Sequence, residues 1–379
     1  GLSYKVIMLP ETRYMPAATL SHLVELARAG ATVVVRNRMP ADVPGLSNLA
    51  ADRALFKRLL SQLDFKVTEA PNLRIARVGA GRFMIDKDIR MLLANAGTRR
   101  EVLVDRGLSF TRRRDSGGTF YFILNRGAAP VEGWVPLQTG VQTRAASAAL
   151  FNPLTGESGI AASRAANGGQ EVYLQLAPGE SCVVKTFDSA QRGQPYPYFK
   201  TAGEPRALSG EWSVNFVEGG PSLPPARQLS DLGSWTAFGG DEYKYFSGTA
   251  RYTLNFARPQ GPNGDWLLDL GRVAESARVR LNGQELGTLF TAPFRARVPA
   301  ALLRETNTLE VEVSNLMLNR AIDLERRGVK YKKFYNTNFP ARRPENRGTD
   351  GLFDATKLSP RDSGLLGPVS LAPVEPVRF

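Results

Sequence analysis

The stretch from Arg278 to Asn315 decides more about what this chain can fold into than any other. Val279 and Leu281 alternate with Arg278 and Arg280, the period-two signature of a strand with one face buried and one face wet. Asn282-Gly283 follows, a dipeptide that accepts positive φ at both central positions and so suits the tightest hairpin turn. Leu286 and Leu289 begin the return strand, and Phe294, Ala296 and Val298 then alternate with Arg295 and Arg297. After a short apolar turn, Ala301-Leu302-Leu303, closed by Glu305 to Asn307, a last strand alternates Leu309, Val311 and Val313 with Glu310, Glu312 and Ser314. Four one-faced strands joined by tight turns must cover their apolar face with a second sheet, so the stretch predicts a β-sandwich or jelly roll.

The start of the chain is patterned differently. Tyr4 to Pro10 reads as a continuous apolar run, expected of a strand buried on both faces in a parallel sheet. Pro16 opens a helix with Leu20, Leu23, Val24 and Ala27 as its apolar stripe, and Gly30 closes it. Ala31 to Val35 is the next buried strand, which makes a βαβ unit. Ala54 to Leu63 predicts a second helix, and the turn Gly79 to Phe83 is expected to lead into a third, over residues 84–97. Residues 1–100 therefore predict a small α/β domain of the flavodoxin or amidotransferase-like kind. From Glu101 helical periodicity disappears, and strands are expected at Leu108 to Arg112, Thr119 to Asn125, around Trp134, and at 149–152, 172–176 and 182–187, giving a β-sandwich over 101–190. Residues 191–208, rich in Pro and Gly with three aromatics, read as a linker, and 209–379 as the jelly roll. The fold class is multidomain and mainly β. A chain that opens almost directly in a strand is expected to be the C-terminal part of a longer one.

Composition removes several functions. The formal charge is 49 basic against 36 acidic residues, +13, but the basic residues are dispersed in short groups such as Arg112-Arg113-Arg114, Arg326-Arg327 and Lys332-Lys333. No zinc spacing, helix-turn-helix signature or RNA-stacking motif accompanies them, so they read as solvated surface and no nucleic-acid partner is expected. No apolar run is long enough to span a membrane. The one cysteine, Cys182, sits in an apolar strand and reads as a buried, inert thiol. Class I amidotransfer needs a Cys on a strand–helix elbow with a His partner, and serine triads need a His as well. The only histidine, His22, falls on the first helix, and Cys182 lies outside the α/β domain. Asp115-Ser116-Gly117-Gly118 reads as a hairpin turn, and Gly79-Ala80-Gly81 lacks the rest of a dinucleotide fingerprint. One His and one Cys cannot make a recognisable zinc site, so no metal site and no cofactor are expected.

Several motifs nevertheless occur in a telling order. "VRLNGQELGTLFTAPFRARV", "NTLEVEVSN" and "SGLLGPVSL" resemble the sugar-binding, galactose-binding-like jelly roll of family 2 glycoside hydrolases and their relatives. Asn315-Leu316-Met317-Leu318-Asn319-Arg320 resembles the Asn-Leu-x-x-Asn-Arg segment of the family 106 α-L-rhamnosidases, with Met317-Leu318 in place of a Trp-centred pair. "FTRRRDSGGTFYFILN", "LFNPLTGE" and "VYLQLAPGESCVVKTF" resemble the sandwich that follows the barrel in those enzymes, with Thr111 where His is usual and Phe151-Asn152 in place of Trp-Asp. The resemblance implies that this is the C-terminal accessory region of an α-L-rhamnosidase-type enzyme. Its catalytic barrel would precede Gly1, so no catalytic residue is assigned within the chain. It further implies a rhamnose-containing glycan and the missing N-terminal barrel as partners, and a periplasmic or secreted parent; whether the parent needs calcium stays open. The alternatives are a purely structural scaffold, or a fragment of a family 2-type β-galactosidase or β-glucuronidase.

Sugar sites stack an aromatic ring on the apolar face of a pyranose and fork polar groups to its hydroxyls. Trp235, in the glycine-rich stretch LGSWTAFGGDEYKYF, is the first candidate for stacking. Tyr243, Tyr245 and Trp266 are further candidates, although their strand-like surroundings equally fit core packing. Asn315, Asn319, Arg320 and Asp323 form a polar cluster after the last strand of the 278–315 stretch, suited either to ligand contact or to pinning a loop.

Overall fold

The computed structural model describes residues 4–70, 72–98, 100–138, 147–166, 169–329, 331 and 343–379. Lys332-Lys333, among the basic groups above, lies outside them. The chain divides into two units, residues 1–102 and 103–379.

In the first unit, the strands Val6–Leu9, Thr32–Arg36 and Gly81–Asp86 run parallel, and Arg74–Val78 and Lys66–Val67 continue the sheet antiparallel. The helix Ala17–Arg28 begins right after Pro16, buries Leu20, Leu23, Val24 and Ala27, and ends before Gly30 at φ 112°. The second helix, Leu49–Ser61, starts a turn earlier than its apolar pattern alone suggests. Two expectations are corrected here. Val6–Leu9 is an edge strand rather than a doubly buried one, and Met8 is 49% exposed. Met84 to Asp86 belong to a strand, and the third helix is confined to Ile89–Asn95. The cause is Gly79 and Gly81: with Gly79 at φ 57°, Val78 pairs with Gly81 in a tight hairpin, and a Cβ on Gly81 would meet the Ala31 carbonyl at 2.2 Å. Phe83, Met84 and Ile85 are buried on both faces of the sheet, and such a run is apolar throughout whether it is strand or helix.

The second unit opens with the sandwich. One five-stranded sheet contains Leu108–Asp115, Gly118–Asn125, Ser181–Phe187, Ser147–Phe151 and Ser158–Ile160, faced by a three-stranded sheet of Val131–Leu137, Gly169–Leu176 and Ser163–Ala166. Their inner residues, among them Tyr121, Ile123, Val135, Val172, Leu174 and Val184, close one core. Asp115 pairs with Gly118 and accepts the Gly117 N–H at 2.9 Å, so Asp-Ser-Gly-Gly is the expected hairpin turn. Where Asn152 replaces Asp, its Oδ1 still accepts from the N–H groups of Leu154 (2.9 Å) and Thr155 (3.2 Å), so the amide keeps the turn that an Asp would make.

The jelly roll pairs a six-stranded sheet, running Arg227–Leu229, Trp212–Gly220, Ser247–Ala257, Thr306–Ser314, Ser276–Leu281, Gln284–Leu289, with a smaller sheet of Phe199–Thr201, Ser370–Pro376, Trp266–Asp269 and Arg295–Val298. Leu281 pairs with Gln284 across Asn282 (φ 53°) and Gly283 (φ 82°), the predicted turn. Of the four strands read in the 278–315 stretch, three lie in the large sheet and Arg295–Val298 crosses to the small one. The stretch therefore supplies both walls of the core that Val279, Leu281, Ala296, Val298, Leu309 and Val311 fill. Residues 191–208 are no bare connector: Phe199–Thr201 and Arg206–Ala207 both pair with Ser370–Pro376, and Tyr198 is buried beneath the sandwich with its hydroxyl on the Tyr173 carbonyl at 3.0 Å.

Candidate functional site

The aromatic candidates are inside. Trp235 is fully enclosed, edge-on to Phe216 and Phe246 at 5.6 and 5.8 Å, and offers no ring face to a sugar. Gly239 and Gly240, at φ 85° and 86°, bend the chain at the end of a short 3-10 turn, Trp235–Ala237, that drives the indole into the core. Tyr243 is buried with its hydroxyl donating to the Pro225 carbonyl at 3.1 Å, while Trp266 is walled in on the small sheet. Tyr245 packs with Ile322 and Ala355. All four are corrected from candidate sugar contacts to core packing, since stacking needs an accessible face.

Two of the four polar candidates, Asn315 and Asn319, converge on Ser363. Asn315 donates to the Phe246 carbonyl (3.0 Å) and Ser363 Oγ (2.9 Å), and its Oδ1 accepts the Gly248 N–H at 2.9 Å. Asn319 is buried, donates to the Arg361 carbonyl at 2.9 Å and accepts the Arg361 N–H at 2.8 Å. Ser363 donates its own N–H to Ser234 Oγ at 2.9 Å, and its carbonyl receives the Trp235 N–H at 3.0 Å. Arg320 pairs with Asp323, which also draws Arg327 to 3.3 Å. Each Asn uses both ends of its amide on the chain itself, so the cluster pins the 361–363 loop to the Trp235 turn. For Asn315 and Asn319 these contacts fit loop pinning, with both amide ends engaged within the chain.

An open site lies elsewhere, in a cleft of about 520 Å³ between the sandwich and the outer face of the small jelly-roll sheet. Leu154, Tyr196 and Leu267 give it an apolar lining; Asn152, Glu157, Gln175 and Arg297 supply polar groups. Arg295 and Arg297 reach it because they are the outward residues of a strand whose Ala296 and Val298 face the core. The Arg297 guanidinium lies over the Phe199 ring at 4.5 Å, 3.6 Å from Glu157 and 3.5 Å from Asp265. Glu132 accepts from the Tyr173 hydroxyl (2.9 Å) and Gln175 (3.1 Å). Burial, reinforced by the nearby Glu157 charge, pushes the Tyr196 phenol up to about 12, so it stays protonated and can donate. Burial likewise pushes the Cys182 thiol at the cleft floor up to about 12, which leaves it a neutral, poor nucleophile. Sequence reasoning missed this site because its residues come from strands far apart; the one available signal was the trio of aromatics at 196, 198 and 199.

The first unit has a smaller recess of about 220 Å³, lined by Asn37, Arg74 and Asp86 among others, with neither Cys nor His. His22 lies on the helix Ala17–Arg28, 3.7 Å from Glu25. Among the described residues no group of three or more His, Cys, Asp and Glu side chains could hold a metal ion, and no helix is long and apolar enough to cross a membrane.

With the geometry in place, likeness to known proteins becomes informative. Residues 1–162 match the profile of the glycoside hydrolase family 106 α-L-rhamnosidases. A rhamnosidase from Novosphingobium sp. PP1Y superposes on 98% of the chain with a TM-score of 0.66 and 28% identity, and the chain spans 34% of that protein. A putative β-glucuronidase of Formosa agariphila is 38% identical over 192 residues, 45% of this chain and 16% of its own length. A β-glucuronidase from Bifidobacterium dentium matches 44% of the chain and is itself covered to 29%, at 21% identity and a TM-score of 0.29. The chain thus spans about a sixth of its curated relative and a third of the solved rhamnosidase. Over residues 1–162 the chain is similar in sequence to the family 106 α-L-rhamnosidases, and over 98% of its length it shares the fold of part of a solved rhamnosidase.

Proposed function

We propose that this chain is the non-catalytic, C-terminal portion of an α-L-rhamnosidase-type glycoside hydrolase, where it supports the catalytic barrel and binds carbohydrate from a rhamnose-containing glycan. The observation that carries the reading is the match of nearly the whole chain to a third of a rhamnosidase. Glycoside hydrolysis needs two carboxylates across the scissile bond, commonly at the mouth of a strand–helix barrel, and no such barrel occurs among the described elements. A cleft with apolar walls and a few convergent polar groups is the kind of surface that holds a saccharide. A periplasmic or secreted parent and the absence of nucleic-acid or membrane partners belong to the same reading. The test has two arms. The pure chain should release no aryl product from an aryl α-L-rhamnoside above a blank preparation, yet bind methyl α-L-rhamnoside in a calorimetric titration. Turnover would overturn the non-catalytic role, and absence of binding would leave a scaffold. A second reading, part of a β-glucuronidase-type enzyme, is favoured by the 38% identical segment; aryl rhamnoside and aryl glucuronide assays of the longest gene product separate the two.

A further inference from the structure

We infer that the cleft between the sandwich and the small jelly-roll sheet is a binding site for a neutral saccharide and discriminates against uronic acids. The inference deepens the carbohydrate-binding reading and rests on it. Its first ground is charge. Three acidic side chains, Glu132, Glu157 and Glu180, and three basic ones, Lys200, Arg295 and Arg297, line the cleft. Each base is already neutralised: Arg297 by Glu157 and Asp265 at 3.6 and 3.5 Å, Arg295 by Asp269 at 2.7 Å, Lys200 by Glu375 at 2.9 Å. A uronate carboxylate entering the cleft would meet no uncompensated cation and would face three carboxylates, so its desolvation would go unrewarded.

The second ground is the fit to hydroxyl groups. The Arg297 guanidinium sits over the Phe199 ring at 4.5 Å and between two carboxylates, so its position is constrained before any ligand arrives. Its two ion pairs run from Nη1 and Nε, so the charge is balanced while further N–H donors of the guanidinium fork can still reach a neutral hydroxyl. A guanidinium beside a carboxylate presents donors next to acceptors, the pattern that adjacent hydroxyls of a sugar satisfy with one donated and one accepted bond each. The protonated Tyr196 phenol adds a neutral donor, and Leu154 and Leu267 offer apolar surface to the C–H face of a pyranose. Both partners of the Arg297–Glu157 pair come from different modules, so a ligand that bridges them also joins the sandwich to the jelly roll.

The experiment titrates the whole chain with methyl α-L-rhamnoside and, in parallel, with D-glucuronate and D-galacturonate, for the wild type, Arg297→Ala and Glu157→Gln. Thermal melts run beside the titrations. The rhamnoside is expected to bind and the uronates to bind at least about tenfold more weakly; each substitution should weaken rhamnoside binding about tenfold, as loss of a hydrogen bond to a charged group does. Glu157→Gln keeps the side chain's shape, so it decides the matter should Arg297→Ala fail to fold. Rhamnoside binding untouched by Glu157→Gln would overturn the cleft assignment and leave carbohydrate binding standing. A preference for either uronate would overturn the neutral-ligand assignment. Binding of none of the three would remove the inference together with the reading beneath it.

Discussion

The junction at Ser363 and the cleft at Arg297 are both clusters of polar side chains and stand in opposite condition. At Ser363, Asn315 and Asn319 use both ends of their amides on backbone or hydroxyl partners at 2.8–3.0 Å. At the cleft, the Arg297 pairs are stretched to 3.5 and 3.6 Å and the side chain is 38% exposed. A polar cluster whose groups are satisfied by the chain holds the fold; one whose groups are pre-oriented but under-used is free to hold something else. Polarity and clustering in sequence do not separate these cases. Only the partner of each atom does.

That contrast can be broken at its strongest point first. Trp235→Ala should cost about 3–5 kcal/mol in urea unfolding, since the indole fills the core against which the Ser363 loop is pinned. A loss below about 1 kcal/mol would return Trp235 to the surface and to the list of sugar contacts. Asn319→Ala should cost about 1–3 kcal/mol, because the Arg361 N–H and carbonyl lose their partners, and should leave rhamnoside binding unchanged. A Kd that rises while the melting temperature holds would mean the junction, too, touches ligand. Gly283→Val should cost about 1–3 kcal/mol through strain alone: φ is 82° there and nothing lies within 4 Å of the added Cβ. An unchanged melt would show the turn relaxing to another type. The smallest stability effect is expected at the cleft, where Arg297→Ala should cost roughly 0–1 kcal/mol, as exposed ion pairs do. A larger loss would make Arg297 a fold residue like Asn319 and erase the contrast.

The strands of the jelly roll were legible because alternation and Asn282-Gly283 are local signals, each fixed by a few neighbouring residues. Residues 84–86 were misread as helix because a doubly buried strand has no period of its own, and only the hairpin at Gly79–Gly81 settles it. Trp235 misled for a related reason. Glycines around an aromatic suggest an exposed loop, yet here they supply the positive φ that turns the chain so the ring points inward. Beyond the aromatics at 196, 198 and 199 the cleft left no local trace: Glu157, Tyr196 and Arg297 are separated by dozens of residues, and Arg297 is only the outward member of an alternating strand until the sandwich meets it.

The strand Ser370–Pro376 sits inside the small sheet, between Phe199–Thr201 and Trp266–Asp269. On the ribosome, the hundred and more residues that precede it emerge while Trp266–Asp269 still lacks this neighbour. Its backbone groups are then a template for any passing strand. The jelly roll can therefore close only after residue 376 has been synthesised, and its most vulnerable moment falls during its own translation. Slow elongation between residues 270 and 370 should therefore raise the fraction lost to aggregation, because the unpaired edge is exposed for longer.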